Sequence, residues 1–199
     1  MKAVGPAPEW NVPNLLTLAR VALVPVLGWL LFTSRGEVYS TAATAVFVIA
    51  AMTDFVDGNL ARKRGLITAF GELWDPIADK ALTGMAFIGL SALHEVPWWV
   101  TITIMTREIG ITWMRFAVID DGVVPASRGG KVKTTVQMVA LIMMLISPAV
   151  AVWLPGSFAA TWHNTAVAAV FLALAVTVAT GIDYIVGWRR RVADLGTAS

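Results

Sequence analysis

The chain has 199 residues, of which 57% are hydrophobic and 14% charged, with a formal net charge of +2. A soluble domain carries about 25% charged residues, so this composition excludes an ordinary soluble protein and indicates one embedded in a bilayer. The chain has no cysteine, which excludes disulfides, thiolate metal sites and cysteine nucleophiles. In a membrane protein a small net positive charge mostly reflects the enrichment of lysine and arginine in cytoplasmic loops, so we expect no nucleic-acid partner.

Hydropathy predicts six helices joined by short connections: about Pro13–Thr33, Ser40–Arg62, Phe70–Leu93, Pro97–Val118, Val132–Leu154 and Thr161–Trp188. A helix of about 20 residues crosses the hydrocarbon core, so all six are long enough to span a membrane. No linker, repeat or low-complexity tract divides the chain, and residues 1–199 are predicted to form one domain. The predicted fold class is therefore an all-α integral membrane protein with six transmembrane helices.

The segment before the first helix is polar and contains several prolines. We expect Lys2–Val12 to form either a short helix on the membrane surface or a loose tail. The apolar run after it has no small-residue cleavage pattern, so we expect it to be retained as the first span.

Basic residues are concentrated on one side of the predicted spans. That side holds Lys2, Lys63, Arg64, Arg128, Lys131, Lys133 and Arg189 to Arg191. The connections on the other side contain Arg35 as their only clear cation. Cytoplasmic loops are enriched in lysine and arginine, which predicts an inner-membrane protein with both termini in the cytoplasm.

Four aspartates lie at the predicted cytoplasmic ends of the second and third helices. Asp54 and Asp57 are three residues apart, and Asp75 and Asp79 are four apart, so each pair lies on one helical face. Four carboxylates in one cavity repel one another unless a cation lies between them. One or two Mg²⁺ or Mn²⁺ ions suit such oxygen ligands, so the motif predicts a metal site.

The residues between these aspartates suit a diphosphate, which often completes the coordination of Mg²⁺. Gly58 and Ala61 share the face of Asp54 and Asp57, and their small side chains allow a nucleotide to approach the backbone. Arg62 can donate two hydrogen bonds to phosphate oxygens. A single aspartate would instead favour an ion pathway or an ion pair with Lys80 or Arg107. The combined pattern favours a metal–diphosphate site.

The run from Asp54 to Asp79 resembles the complete signature of the CDP-alcohol phosphatidyltransferase family: Asp-x-x-Asp-Gly-x-x-Ala-Arg, eight residues, then Gly-x-x-x-Asp-x-x-x-Asp. The resemblance implies a six-helix membrane fold with a cytoplasm-facing polar cavity and two divalent metals, usually in a homodimer. It also implies that Asp54, Asp57 and Asp75 are the principal metal ligands. Asp79 would complete the metal site and act as general base. The implied contacts to the CDP-lipid are Asp57, Gly58, Ala61, Arg62 and Gly71.

Cations in the fourth and fifth predicted helices indicate an anionic acceptor. Arg107 lies deep in its helix and needs an anionic partner, whereas we interpret the adjacent Glu108 as pointing elsewhere. A sugar phosphate or glycerol phosphate would supply that charge. Lysines at the start of the fifth helix either join this site or extend to the membrane interface. The predicted acceptor-phosphate residues are Arg107, Arg115, Lys131 and Lys133.

Residues 11–20, 106–109 and 130–137 resemble the branch of the family that uses sn-glycerol 3-phosphate. By this resemblance, the reaction joins CDP-diacylglycerol and sn-glycerol 3-phosphate, giving phosphatidylglycerol phosphate and CMP. Inositol phosphate and phosphatidylglycerol stay open as acceptors, because enzymes using them share the core motif. A rival of another class is a cation or proton transporter, which would distribute carboxylates across the membrane depth instead of gathering them at one end.

Overall fold

The computed structural model describes residues 11–33, 36–64, 68–117 and 128–196. The described chain is all-helical. Its helices are α1 (Val12–Thr33), α2 (Glu37–Arg64), α3 (Ala69–Ala92), α4 (Trp98–Ala117), α5 (Arg128–Trp153) and α6 (Gly156–Gly196). For some helical residues the description covers the backbone alone: 13, 54–64, 69–70, 72, 115–117, 128–129, 131 and 190–196. The six predicted helices are confirmed.

The largest differences from prediction are at the ends of α5 and α6. Helix α5 begins at Arg128, four residues before its apolar run, and α6 extends from Gly156 to Gly196 instead of from Thr161 to Trp188. Hydropathy marks only the apolar part of a helix, and backbone hydrogen bonds can continue through polar turns beyond it.

Three helical stretches are long and apolar enough to cross a membrane: Asn14–Thr33, Val132–Trp153 and Gly156–Arg189. Helix α2 contains a shorter apolar stretch, Glu37–Thr53. Large apolar side chains such as Trp29, Trp99 and Trp113 are exposed on the outside of the bundle. An apolar exterior of this extent is typical of a surface that faces lipid. The chain is therefore a helical membrane protein.

Helices α1, α2, α3 and α5 supply most of the core. Phe47 of α2, Phe87 of α3 and Leu141 of α5 are fully buried, and Leu27 of α1 lies in the same cluster. Helix α1 packs on α2 and α3, while α6 packs on α5 and α4. Helix α3, which carries half of the aspartate motif, contacts α1, α2, α4 and α5.

Small residues allow α1 and α3 to pack closely. A Cβ added at Gly89 would lie 2.4 Å from Cδ1 and 3.2 Å from Cβ of Leu31. The second distance involves an atom next to the backbone, which cannot move away by rotation of the side chain. Gly89 therefore sets the distance between these helices.

We expect Gly89→Val to destabilise the protein by about 1–3 kcal/mol, because the added atoms overpack the contact between α1 and α3. Thermal unfolding in detergent measures this effect. The control is Gly110→Val, since a Cβ at Gly110 meets nothing within 4 Å. Equal melting temperatures for the two variants would contradict the assigned role of Gly89.

Candidate active site

The first half of the aspartate motif lies near the carboxyl end of α2, where the backbone is helical throughout. That continuity places the motif positions on one helical face, as their spacing requires. The side chains of Asp54, Asp57, Gly58, Ala61 and Arg62 lie outside the described residues, as do those of Arg115 in α4 and Lys131 in α5. Their assigned roles stay predictions.

The second half of the motif lies in the first three turns of α3, which begins at an N-cap formed by Thr68. The hydroxyl of Thr68 accepts a hydrogen bond of 3.1 Å from the backbone N–H of Gly71. Asp75 and Asp79 lie one and two turns later, and both are partly exposed. The helix therefore presents both carboxylates on one face, as predicted.

Helix α1 holds the start of α3 through polar contacts. Thr17 donates a hydrogen bond of 2.6 Å to Oδ1 of Asp75, and Thr68 donates one of 3.0 Å to Oδ1 of Asn14. A Cβ at Gly71 would lie 3.1 Å from that Asn14 oxygen. Gly71 thus makes room for Asn14, and Thr17 orients the carboxylate of Asp75. We did not predict roles for Thr17 and Asn14, although both lie in a segment that resembles the family.

Asp79 is joined to α4 through Lys80. Nζ of Lys80 lies 2.8 Å from Oδ2 of Asp79 and 2.8 Å from Oε2 of Glu108. The ion pair with Lys80, which the sequence suggested for an isolated aspartate, is therefore present at Asp79. Lys80 was not among the predicted site residues. The sequence alone does not show that Lys80 pairs with Glu108 as well as with Asp79.

Glu108 is the buried centre of an ionic cluster. Its side chain is 3% exposed, and its Oε1 lies 2.5 Å from Nζ of Lys133 and 3.2 Å from Nη1 of Arg107. The interpretation that Glu108 points away from Arg107 is therefore wrong. Adjacent helical residues differ in direction by about 100°, but long side chains can curve to a common point. We call Lys80, Arg107, Glu108 and Lys133 the acceptor cluster.

The acceptor cluster contains three cations and one carboxylate. Asp79 shares Lys80, but among the side chains that the structure describes, Glu108 is the only acidic one within ion-pairing distance of Arg107 or Lys133. The excess positive charge lies one ion pair away from Asp79. Excess positive charge that is partly shielded from water attracts an anion, so this arrangement suits a phosphate.

The chemistry of the donors fits a divalent cation with oxygen ligands. Asp75 and Asp79 supply carboxylate oxygens from one face of α3, and α2, which carries Asp54 and Asp57, packs against that helix. Within the part of the chain whose side chains are described, no group of three or more acidic or imidazole residues could hold a metal ion. The side chains of Asp54 and Asp57 lie outside that part of the chain, so their contribution to a metal site stays a prediction.

An apolar groove of about 730 Å³ runs along α3 and α4 beside this site. Lys80 lies in its wall together with Leu73, Ile77, Ile109 and Trp113. Charged and apolar surfaces thus meet at Lys80, an arrangement that suits an amphipathic molecule.

Comparison with known proteins gives a family match and several named relatives. The model of the CDP-alcohol phosphatidyltransferase family matches residues 10–188. A probable phosphatidylglycerophosphate synthase of Mycobacterium tuberculosis is 46% identical over 94% of this chain and 84% of the relative.

Two more distant relatives are both named CDP-diacylglycerol–glycerol-3-phosphate 3-phosphatidyltransferase. The protein of Bacillus subtilis is 38% identical over 69% of this chain and 77% of its own length. That of Escherichia coli is 42% identical over 70% of this chain and 79% of its own length. The family match covers nearly the whole chain and includes both halves of the aspartate motif. The chain therefore belongs to the CDP-alcohol phosphatidyltransferase family.

Proposed function

We propose that the chain transfers the phosphatidyl group of CDP-diacylglycerol to sn-glycerol 3-phosphate, giving phosphatidylglycerol phosphate and CMP in phospholipid biosynthesis. The names of the relatives in Bacillus subtilis and Escherichia coli support this reaction. The structural observation that carries the proposal is the excess positive charge of the acceptor cluster, one ion pair away from Asp79.

The charge of the acceptor cluster favours a phosphate monoester over a phosphodiester. A monoester carries a charge of about −1.5 to −2 at neutral pH, whereas a diester carries a single negative charge. Glycerol 3-phosphate therefore gains more from Arg107 and Lys133 than the headgroup of phosphatidylglycerol would. Inositol phosphate is also a monoester, and the names of the relatives favour glycerol 3-phosphate over it.

The CDP-lipid is assigned to the aspartate motif. Asp54, Asp57, Asp75 and Asp79 would hold Mg²⁺ or Mn²⁺, with two ions per site. When bound, these ions would neutralise the negative charge of the diphosphate and of the departing CMP. Gly58 and Ala61 would allow the nucleotide to approach α2, and Arg62 would donate to its phosphates, with Gly71 at the start of α3. The groove beside Lys80 would accept acyl chains of the lipid.

Asp79 is the proposed general base. The acceptor hydroxyl oxygen forms a new bond to the lipid-side phosphorus, the bond from that phosphorus to CMP breaks, and Asp79 takes the hydroxyl proton. Thr17 fixes Asp75, and Lys80 fixes the orientation of the Asp79 carboxylate. These contacts hold both aspartates before substrate arrives, which lowers the entropic cost of the reaction.

We also propose that all six helices cross the inner membrane as one domain, with both termini, the site and its polar cavity facing the cytoplasm. An even number of spans leaves the termini on one side, and the distribution of lysine and arginine supports this orientation. A homodimer is proposed from the resemblance to the family.

The reaction is tested by release of CMP from CDP-diacylglycerol by purified protein. We expect turnover with glycerol 3-phosphate, none with uncharged glycerol, and little with phosphatidylglycerol. Chelation with EDTA should abolish release, and Mg²⁺ or Mn²⁺ should restore it, because the carboxylates need a bound cation to neutralise the diphosphate. Absence of turnover with glycerol 3-phosphate under metal-replete conditions would refute the proposed acceptor.

For Asp79→Asn we expect CDP-lipid binding to be retained while kcat falls by about 10²–10⁴, because the amide cannot accept the acceptor proton. Binding of a labelled CDP-lipid and release of CMP separate the two effects. A kcat close to that of the unmodified protein would remove Asp79 from the role of base.

We expect Arg107→Lys and Lys133→Met each to raise KM for glycerol 3-phosphate by about tenfold, since each removes a charge-assisted hydrogen bond to phosphate. The KM for CDP-diacylglycerol should change little. Arg189→Met is the control, because Arg189 is an exposed cation near the end of α6. A parallel rise in both KM values would place these cations outside the acceptor site.

A further inference from the structure

We propose that Thr180 and Gly181 of α6 are positioning residues that hold Arg107 for the acceptor phosphate. The inference rests on the proposed role of Arg107 in acceptor binding. Neither residue belongs to the aspartate motif or to the three segments that resemble the glycerol-phosphate branch. Helix α6 would therefore act in substrate recognition through α4, without touching the substrate.

The guanidinium of Arg107 is held from two sides. Its Nη1 lies 3.2 Å from Oε1 of Glu108, and its Nη2 donates a hydrogen bond of 3.0 Å to Oγ1 of Thr180. Its Nε is buried and has no hydrogen-bond partner among the described residues. Two contacts on different helices fix the plane of the guanidinium, which determines the direction of its donors.

The acceptor role of the Thr180 hydroxyl follows from its own helix. Oγ1 of Thr180 lies 2.7 Å from the carbonyl oxygen of Val176, to which it donates its hydrogen. A hydroxyl has one hydrogen, so the oxygen that faces Arg107 can only accept. The Thr180 oxygen therefore suits the guanidinium of Arg107, which can only donate hydrogen bonds.

Gly181 provides the space in which Arg107 lies. A Cβ at this position would be 3.0 Å from Cγ and 3.1 Å from Nε of Arg107. These distances are shorter than ordinary van der Waals contact, so even a methyl group would displace the arginine by a few tenths of an ångström. The absent side chain allows Arg107 to approach α6 closely at this position.

The rotation of α6 is also fixed by a contact with α5. Nε2 of Gln137 donates a hydrogen bond of 2.8 Å to Oγ1 of Thr177, and both side chains are buried. Thr177, Thr180 and Gly181 are spaced i, i+3 and i+4, so they lie on one face. The contact with α5 therefore keeps Thr180 and Gly181 turned toward Arg107.

The test compares Gly181→Ala with Gly187→Ala, since a Cβ at Gly187 meets nothing within 4 Å on the same helix. We expect Gly181→Ala to raise KM for glycerol 3-phosphate by about tenfold, the effect of misplacing one charge-assisted hydrogen bond. The KM for CDP-diacylglycerol and kcat at saturating acceptor should change little. Gly187→Ala should match the unmodified protein in all three values.

A second set of variants tests the hydroxyl. Thr180→Val should raise the same KM, and Thr180→Ser should leave it close to the original value. The control is Thr165→Val, because the hydroxyl of Thr165 bonds to a carbonyl of its own helix. Thermal unfolding of every variant is measured beside the kinetics. If Gly181→Ala does not fold, Thr180→Val tests the inference instead.

The outcomes separate this inference from the proposed function. An unmodified protein that releases no CMP with glycerol 3-phosphate overturns both. If Arg107→Lys raises the acceptor KM while Gly181→Ala and Thr180→Val leave it unchanged, the assigned role of α6 is wrong and the function stands. A loss of stability or kcat with both KM values unchanged would also overturn the inference, since a purely structural role predicts that result.

Discussion

The arrangement of the site depends on one buried carboxylate, that of Glu108. Lys80 of α3, Arg107 of α4 and Lys133 of α5 all lie within ion-pairing distance of it. Burying a charge without a partner costs several kcal/mol, so each of these groups constrains where the others can lie. Three helices are therefore held at one point. Because Lys80 also pairs with Asp79, the same constraint places the proposed base beside the acceptor cluster.

Helices α1 and α6 position other parts of the site. Helix α1 holds Asp75 through Thr17 and packs against Gly71 through Asn14. Helix α6 holds Arg107 through Thr180. The charged groups thus lie among helices whose outer surface exposes many large apolar side chains. A membrane enzyme needs this combination, since it acts on a lipid held by apolar surface and a headgroup held by charge.

The parts of the fold that could be predicted follow from local patterns. Apolar runs of sufficient length predicted the six helices, and the spacing of Asp75 and Asp79 predicted a shared face, because both depend only on helix geometry. The ends of α5 and α6 were predicted less well, since polar turns extend these helices beyond their apolar runs. The prediction that Glu108 points away from Arg107 was wrong. The direction in which a side chain leaves the helix does not determine where the end of a long side chain lies.

By itself, the sequence determined the class of protein, the six helices and the aspartate motif, because composition and periodicity are properties of the chain alone. Only the tertiary structure decided that Lys80, Arg107 and Lys133 share Glu108, that Thr17 supports Asp75, and that α6 holds Arg107. These contacts join residues on different helices, and their geometry depends on how the helices pack. Packing between helices is set by many weak contacts at once, and no short segment encodes it.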